Sequence, residues 1–422
     1  MTAPGTTPTP RARQTVGGLG ESGILRILNR RFATVPAAGD WPEGTVGPGD
    51  DAAVVAAPDG RFVITTDAMA QDRDFRLDWP AVPRGLASRS DGRTEGGPDG
   101  GSNGGRFDGH GFAGGYATGW KAAAQNLSDI NAMGGEPSGL LLALTMPPTT
   151  PVAWIDGLAA GLAGAVRHLG AARCRIVGGD LGSDDRITVA VTATGDLDGR
   201  PAVRRTLPPA ARAVTAGADL DLVLCGRAGW AAAGLAVLET PRRVLDERLR
   251  IAEGAEQKEQ KEQKEQAEQG DQLDHGVRRL AALAAAAQLR PRPVLGAGRV
   301  AAEAGALAMM DVSDGVLKDA GRLATANGLR ADLDPDWVRR EASVLVPLAR
   351  ALDPASGQRT AECWVSAGGE DYGLLAALPT GATVPPGFRR IGRLVAESGA
   401  PAAAASVGSV GSAGGWDHFT DR

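Results

Sequence analysis

Carboxylates stand in this chain where apolar runs give way to turns. Asp50 and Asp51 sit side by side in "VGPGDDAAVV", and Asp67 closes "RFVITTD" directly behind the hydroxyls of Thr65 and Thr66. Asp180 follows "RIVGG", next to Gly179. Asp311 and Asp314 flank Ser313 in "MMDVSDG", and Glu370 and Asp371 follow "VSAGG". Asp129 lies in a helical stretch three residues after Asn126, so the two share a face. Strand ends line crevices in open α/β sheets, so these acids are placed to converge. Acids that converge without basic partners repel and raise one another's pKa. The arrangement becomes favourable with divalent cations among them, and Mg²⁺ takes carboxylate oxygens together with phosphate oxygens and water. Hard oxygen donors without histidine or thiolate point to Mg²⁺ rather than zinc. Glycine-rich turns beside such a metal point to a polyphosphate. Singly, each aspartate reads as a turn or helix-cap residue. The recurrence at successive strand ends carries the metal and phosphate reading.

Other chemistries find little support. The four histidines form no H-E-x-x-H pair, and no G-x-S-x-G elbow is present, so zinc hydrolysis and a serine nucleophile are set aside. No G-x-x-x-x-G-K-[ST] loop occurs, so ATP, if bound, is held without a Walker loop. "GLGESG" at 18–23 matches the dinucleotide fingerprint in spacing, but a polar leader rather than a strand precedes it. The net charge of −5 lacks a bulk basic footprint for nucleic acid. No apolar run reaches the roughly 20 residues that span a bilayer, and "MTAPGTTPTPRARQT" has no apolar core of a secretory signal. Cys174, Cys225 and Cys363 are scattered, so no disulfide framework is expected and a reducing cytoplasm is the default location.

The elements that must position the acids alternate between strand and helix. The patterns predict strands at 61–67, 139–146, in "CRIVGGD" and in "ITVAVTATGD", with helices at 119–133 and 153–170. A second series starts near residue 200: strand "LDLVLCG", helix "GWAAAGLAVLE", helix "GVRRLAALAAAAQL", strand "ALAMMD" and helix "VLKDAGRLATANG". "ECWVSAGGEDYGLLAAL" reads as two strands around a Gly-Gly turn. The fold class is therefore α/β in two successive halves. Residues 1–16 read as a disordered leader, 17–198 as an N-terminal domain and 199–422 as a C-terminal domain. The Gly-rich stretch 89–115 and the Glu/Gln/Lys repeat 253–272 read as insertions, the first disordered, the second disordered or loosely helical.

In order, "GDDAAVV", "TTDAM", "KAAAQNLSDINAMGG", "GGD", "DVSDG", "GGEDYGL" and "GWDHF" resemble the motifs of bacterial thiamine-monophosphate kinases, within the aminoimidazole-ribonucleotide-synthetase-like superfamily. The resemblance runs from about residue 17 to 420 apart from the two insertions, and "NLSDINAMGG", "GGEDY" and the closing "WDHF" are its specific parts. It implies an N-terminal domain whose strands form a β-barrel across a homodimer, followed by a C-terminal α/β domain. It implies transfer of the γ-phosphoryl of ATP to thiamine monophosphate, giving thiamine diphosphate, with several Mg²⁺ ions between the phosphates. By that resemblance Asp51, Thr65, Thr66, Asp67, Asp129, Asp180, Asp311 and Asp314 match metal positions. Gly179, Asp180, Arg204 and Ser313 match ATP-binding positions, while Glu370 and Trp416 match positions that hold the thiamine moiety. Asp74 stands where the family has a substrate-contacting histidine, Trp416 where many relatives have tyrosine, and Thr65 where they have serine. Two alternatives remain at this level. One is another ATP-dependent reaction of the superfamily, such as amide activation or selenophosphate synthesis. The other is a non-catalytic Mg²⁺–nucleotide sensor.

Overall fold

The computed structural model describes residues 14–35, 57–79, 111–214, 219–264, 276–396 and 405–407. The expected leader up to residue 13, Asp50, Asp51, most of the 89–115 insertion, the end of the 253–272 repeat and Trp416 lie outside them. The chain divides into two compact units. Through Ile130 and from Glu136 to Gly199 the described residues belong to the first, and Asn131–Gly135 and those from Arg200 onward to the second.

The first unit begins with helices α1 (Val16–Leu19) and α2 (Glu21–Phe32), then strand β1 (Val63–Ala70). Helix α3 (Phe112–Ala132), β2 (Glu136–Met146), α4 (Val152–His168), β3 (Arg175–Ser183) and β4 (Thr188–Asp196) follow. The sheet order is β1-β4-β2-β3, with β4 antiparallel to both neighbours and β2 parallel to β3. Burial alternates along β1: Thr65, Asp67 and Met69 turn inward, while Ile64, Thr66 and Ala68 are exposed, as a strand covered on one face requires. Leu140, Leu142, Val189 and Val191 join Leu127, Ile130 and Leu158 of the helices in the core.

Helix α3 starts inside the stretch expected to be disordered. Its glycines are packing residues rather than signs of disorder. A Cβ on Gly115 would lie 1.9 Å from the carbonyl oxygen of Trp154, and one on Gly119 would lie 2.0 Å from that of Leu158. Gly157 and Gly161 of α4 face Phe112 and Tyr116 at the same 2.0 Å. Four glycines thus let two backbones approach closer than any side chain allows.

The second unit holds α5 (Pro209–Val214), β5 (Leu220–Cys225), α6 (Trp230–Glu239), α7 (Arg242–Lys264), α8 (Val277–Leu289) and α9 (Ala297–Glu303). It continues with β6 (Ala308–Asp311), α10 (Val316–Thr325), β7 (Leu329–Leu333), α11 (Pro335–Ser343), α12 (Val346–Leu352) and α13 (Gly357–Ala367). Strands β8 (Leu374–Pro379), β9 (Phe388–Ala396) and β10 (Ala405–Val407) complete a sheet of order β10-β7-β9-β5-β8-β6. Strand β5 is buried along its whole length, as its apolar run around one charge requires, and that charge, Asp221, accepts from Arg390 Nε at 3.0 Å. "ECWVSA", expected as a strand, is instead the end of α13. Ala361 and Val365, four residues apart, form its buried stripe, and so short an apolar run fits either period. Helix α7 continues through Lys264 into the Glu/Gln/Lys repeat, whose residues are all good helix formers.

Candidate active site

In the first unit, two neighbouring positions of β1 meet one turn of α3. Thr65 donates its hydroxyl to Asp129 Oδ2 at 2.6 Å, and the backbone N–H of Asp67 donates to Asn126 Oδ1 at 3.1 Å. Residues i and i+2 of a strand share a face, as do i and i+3 of a helix, so the pairing of these four follows from the two periods. Asn126 is fully buried and is itself anchored by donating to Ala122 O at 2.9 Å.

Thr66 and Asp180 are not brought to that face. Thr66 is exposed on the other side of β1, where Thr192 Oγ1 donates to its hydroxyl at 3.1 Å. Asp67 aligns across the sheet with Val191, Leu142 and Gly179, whereas Asp180 aligns with Ala143, Ala190 and Ala68 on the exposed side. Within one chain, Asp67 and Asp180 therefore sit on opposite edges, roughly 14 Å apart by strand spacing, and on opposite faces. Gly179 lies against β2 so closely that a Cβ would be 1.8 Å from Leu142 O.

Asp74 follows β1 in a tight loop that contains Asp72 at φ 65°. Its Oδ2 accepts from Ala70 N at 2.7 Å, and its backbone carbonyl accepts from Lys121 Nζ at 3.0 Å. Lys121 is buried on α3, so the loop bearing Asp74 is fastened to the helix bearing Asp129.

The second unit gathers a different set. Asp311 ends β6 and is buried, paired with Leu374 of β8. Arg204 has an exposed side chain, but its carbonyl accepts from Met309 N at 3.0 Å, which lays its segment beside β6. Asp314 Oδ2 is held by Arg322 at 2.6 Å and Lys318 at 3.4 Å. The turn carrying Ser313 is stitched to the turn carrying Glu370: Glu370 N donates to Ser313 O at 2.8 Å, and Tyr372 N donates to Val312 O at 3.1 Å. Glu370 and Tyr372 both adopt positive φ, 67° and 52°, a conformation that costs non-glycine residues energy and clusters at functional sites.

Two polar residues support this second turn, Gln288, which the sequence reading did not single out, and Asp371, which it named only among the strand-end acids. Gln288 of α8, buried, donates Nε2 to Glu370 Oε2 at 2.5 Å. Asp371 Oδ1 accepts from Ala231 N at 3.0 Å at the start of α6, while its Oδ2 is buried without a partner. Burial pushes the Asp371 carboxyl up to about 7, against the pull of the helix N–H groups and Arg227. Gln288 interrupts the alanine run "AAAAQL", and that lone polar residue on an apolar stripe was the available signal.

The chemistry of the first cluster is that of a hard-cation site, with hydroxyl, carboxylate and amide oxygens. Among the described residues no three Asp, Glu, His or Cys side chains converge to hold a metal. The donors of the first cluster fit Mg²⁺ in kind.

Residues 106–197 match the family model described as AIR synthase related protein, N-terminal domain. The thiamine-monophosphate kinase of Mycobacterium tuberculosis is 33% identical over 386 residues, covering 90% of this chain and 86% of that protein. The chain belongs to the thiamine-monophosphate kinase family. Among solved structures, the family member from Stenotrophomonas maltophilia superposes with a TM-score of 0.55 at 22% identity, over 89% of this chain and 94% of that one. AaThiL complexed with AMPPCP and TMP gives a TM-score of 0.53 at 20% identity, over 96% and 99%. The thiamine-monophosphate kinase family's α/β fold is therefore the fold of this chain.

Proposed function

We propose that this chain phosphorylates thiamine monophosphate with ATP, giving thiamine diphosphate by direct in-line transfer. Membership of the kinase family over nine-tenths of the chain carries the reading, and the complex of AaThiL with AMPPCP and TMP supports the pair of substrates. The acceptor is a phosphate monoester that is largely ionised near neutral pH, so a general base gains little. The obstacle is bringing two anions together, and positioning with charge neutralisation supplies most of the catalysis.

In this reading Thr65, Asp67 and Asp129 hold Mg²⁺ from the first unit, with Asp51, Thr66, Asp180, Asp311 and Asp314 as further metal positions. Bound Mg²⁺ would neutralise phosphate charge and align the reacting oxygens. Gly179, Asp180, Ser313 and Arg204 contact ATP, and the Arg204 guanidinium adds fixed positive charge. Glu370, held by Gln288, and Trp416 receive the thiamine moiety, where a carboxylate and a π face both suit a cationic ring. Asp74 also lies on the substrate side, where it favours the cationic ring and disfavours the phosphate.

We further propose a homodimer. Among the described residues the outward face of the first sheet carries exposed apolar side chains: Ile64 of β1 is 60% exposed and the preceding Phe62 55%. Closing two such sheets into a barrel would cover these residues and remove both edge strands. A cytoplasmic setting is part of the proposal, in keeping with three unpaired cysteines. No helix among the described residues is long and apolar enough to cross a membrane.

The test is direct. Incubation with ATP, Mg²⁺ and thiamine monophosphate should yield thiamine diphosphate and ADP. Absence of product, together with turnover of a different acceptor, would assign the chain another reaction of its superfamily. Nucleotide binding without any turnover would make it a sensor.

A further inference from the structure

The Asp311–Gly315 turn owes its shape to a residue outside it. Asp319, in the first turn of α10, is completely buried. Its Oδ2 accepts from the backbone N–H groups of both Ser313, at 3.0 Å, and Asp314, at 2.8 Å. Its Oδ1 accepts from Arg322 at 2.8 Å, and the same guanidinium reaches Asp314 Oδ2 at 2.6 Å. A cap residue normally precedes its helix and serves N–H groups inside it. Asp319 does the reverse. It lies inside α10 and reaches back to two N–H groups ahead of the helix start.

The turn is thereby fixed from two sides. Asp319 holds the N–H of Ser313, and Glu370 N holds its carbonyl at 2.8 Å. Gly315, at φ 112°, gives the chain the bend it needs, and a Cβ there would lie 2.4 Å from Ala367 O. Burying a carboxylate is costly unless it is paired and hydrogen-bonded, and these three bonds meet that condition. A side chain used only to start a helix would not need to fix Ser313 and Asp314 together.

We infer that Asp319 is a positioning residue: its buried carboxylate sets the backbone of Ser313 and Asp314 for the nucleotide side of the reaction. The inference rests on the proposed kinase activity for the roles of those two residues. Asp319 touches neither substrate. It acts through the turn, and its loss lets the Ser313 hydroxyl drift from the nucleotide and the Asp314 carboxylate from its metal position.

The experiment compares Asp319→Asn with Asp319→Ala in the full-length chain. Asparagine keeps a carbonyl oxygen that can accept from both N–H groups, whereas alanine keeps none. Asp319→Ala is expected to raise KM for ATP at least about tenfold, since sub-ångström drift of a positioning group costs on that order. In the same variant KM for thiamine monophosphate should move less than about threefold, and Asp319→Asn should hold both constants within about threefold of the parent. Thermal melts with Mg²⁺ and AMPPCP provide a second readout without any acceptor. AMPPCP should raise Tm of the parent and of Asp319→Asn but not of Asp319→Ala. A parent that binds AMPPCP yet leaves thiamine monophosphate unphosphorylated would sink the kinase reading alone, since the melts still judge Asp319. A cooperatively melting Asp319→Ala with the parent's AMPPCP shift would overturn the inference. So would an Asp319→Asn as impaired as Asp319→Ala. If alanine does not fold, Asp319→Ser replaces it with the same expectations, its hydroxyl being too short to span both N–H groups.

Discussion

Acids in the two units have different company. In the first, Asp129 takes a neutral hydroxyl from Thr65, and Asp67 is placed by a neutral amide from Asn126. In the second, Asp314 already faces Arg322 and Lys318, and Asp319 shares the same arginine. A carboxylate neutralised by side chains gains less from an added cation than one whose seen partner is a hydroxyl. The difference assigns unlike work to similar residues. In the proposed reading the first cluster receives charge, whereas the Asp314–Asp319 turn is already held by charge from its own helix.

The sharpest way to break that contrast is Asp129→Asn. Asparagine can still accept the Thr65 hydroxyl, so the fold keeps its contact while the charge is lost. Turnover should fall by about 10²- to 10³-fold, the usual scale for removing one electrostatic stabiliser. Tm should shift by no more than a few degrees. A fall in Tm that tracks the fall in activity would place Asp129 among the structural acids and erase the distinction.

Asp371 is the structural extreme, and its effect is on stability rather than turnover. Its carboxyl is pushed up to about 7 by burial, from an ordinary value of 3.8. Between those values the folded chain binds a proton that the unfolded chain releases, so this residue's contribution to stability falls as pH rises through that window. Asp371→Asn has no proton to lose. Its stability relative to the parent should therefore grow from pH 4 to pH 7, by at most about 4 kcal/mol. Urea melts at several pH values measure this. Parallel curves for both chains would show that the carboxylate stays ionised and paired in the fold.

How far the sequence revealed this layout depends on which period each residue obeys. "VITTD" announced β1, and strand alternation alone separates Thr65 and Asp67 from Thr66. Which side faced the helix was not legible, because it depends on α3 packing there. Asp67 and Asp180 looked alike as acids closing strands, yet sheet order puts them on opposite edges, and order is a property of the whole unit. Gly115 read as the end of a disordered stretch because close helix packing and loose chain use the same residue. "ECWVSA" was too short to separate helix from strand. Asp319 was overlooked because a charged residue on an amphipathic helix ordinarily marks the solvent face, and nothing local shows it turning back to Ser313. Asp51 and Trp416 lie outside the described residues, so their roles rest on family resemblance.

Asp314→Asn probes the other side of the contrast. Because Arg322 and Lys318 already meet this carboxylate, its removal should cost about tenfold in turnover, well below the cost at Asp129. A loss matching Asp129→Asn would mean that the two cations leave Asp314 when nucleotide arrives, and the units would no longer differ in kind.

Thr65→Val is the smallest expected effect and tests the neutral partner itself. Valine keeps the branched shape that suits β1 but removes the hydroxyl donated to Asp129 at 2.6 Å. One hydrogen bond to a charged group is worth about 1.5–3 kcal/mol, but Asp129 is only partly buried and water can replace part of it. If the hydroxyl merely orients Asp129, turnover should drop by about three- to tenfold, at most about 1.4 kcal/mol, and excess Mg²⁺ should recover little of it. If the hydroxyl is itself a metal donor, the loss should appear as a weaker apparent affinity for Mg²⁺, and raising Mg²⁺ should restore most of the rate. A Mg²⁺ titration of parent and variant at saturating ATP separates the two. The second outcome would bear out Thr65 as a ligand, whereas the first would leave it an orienting donor and the metal to the carboxylates of the first unit.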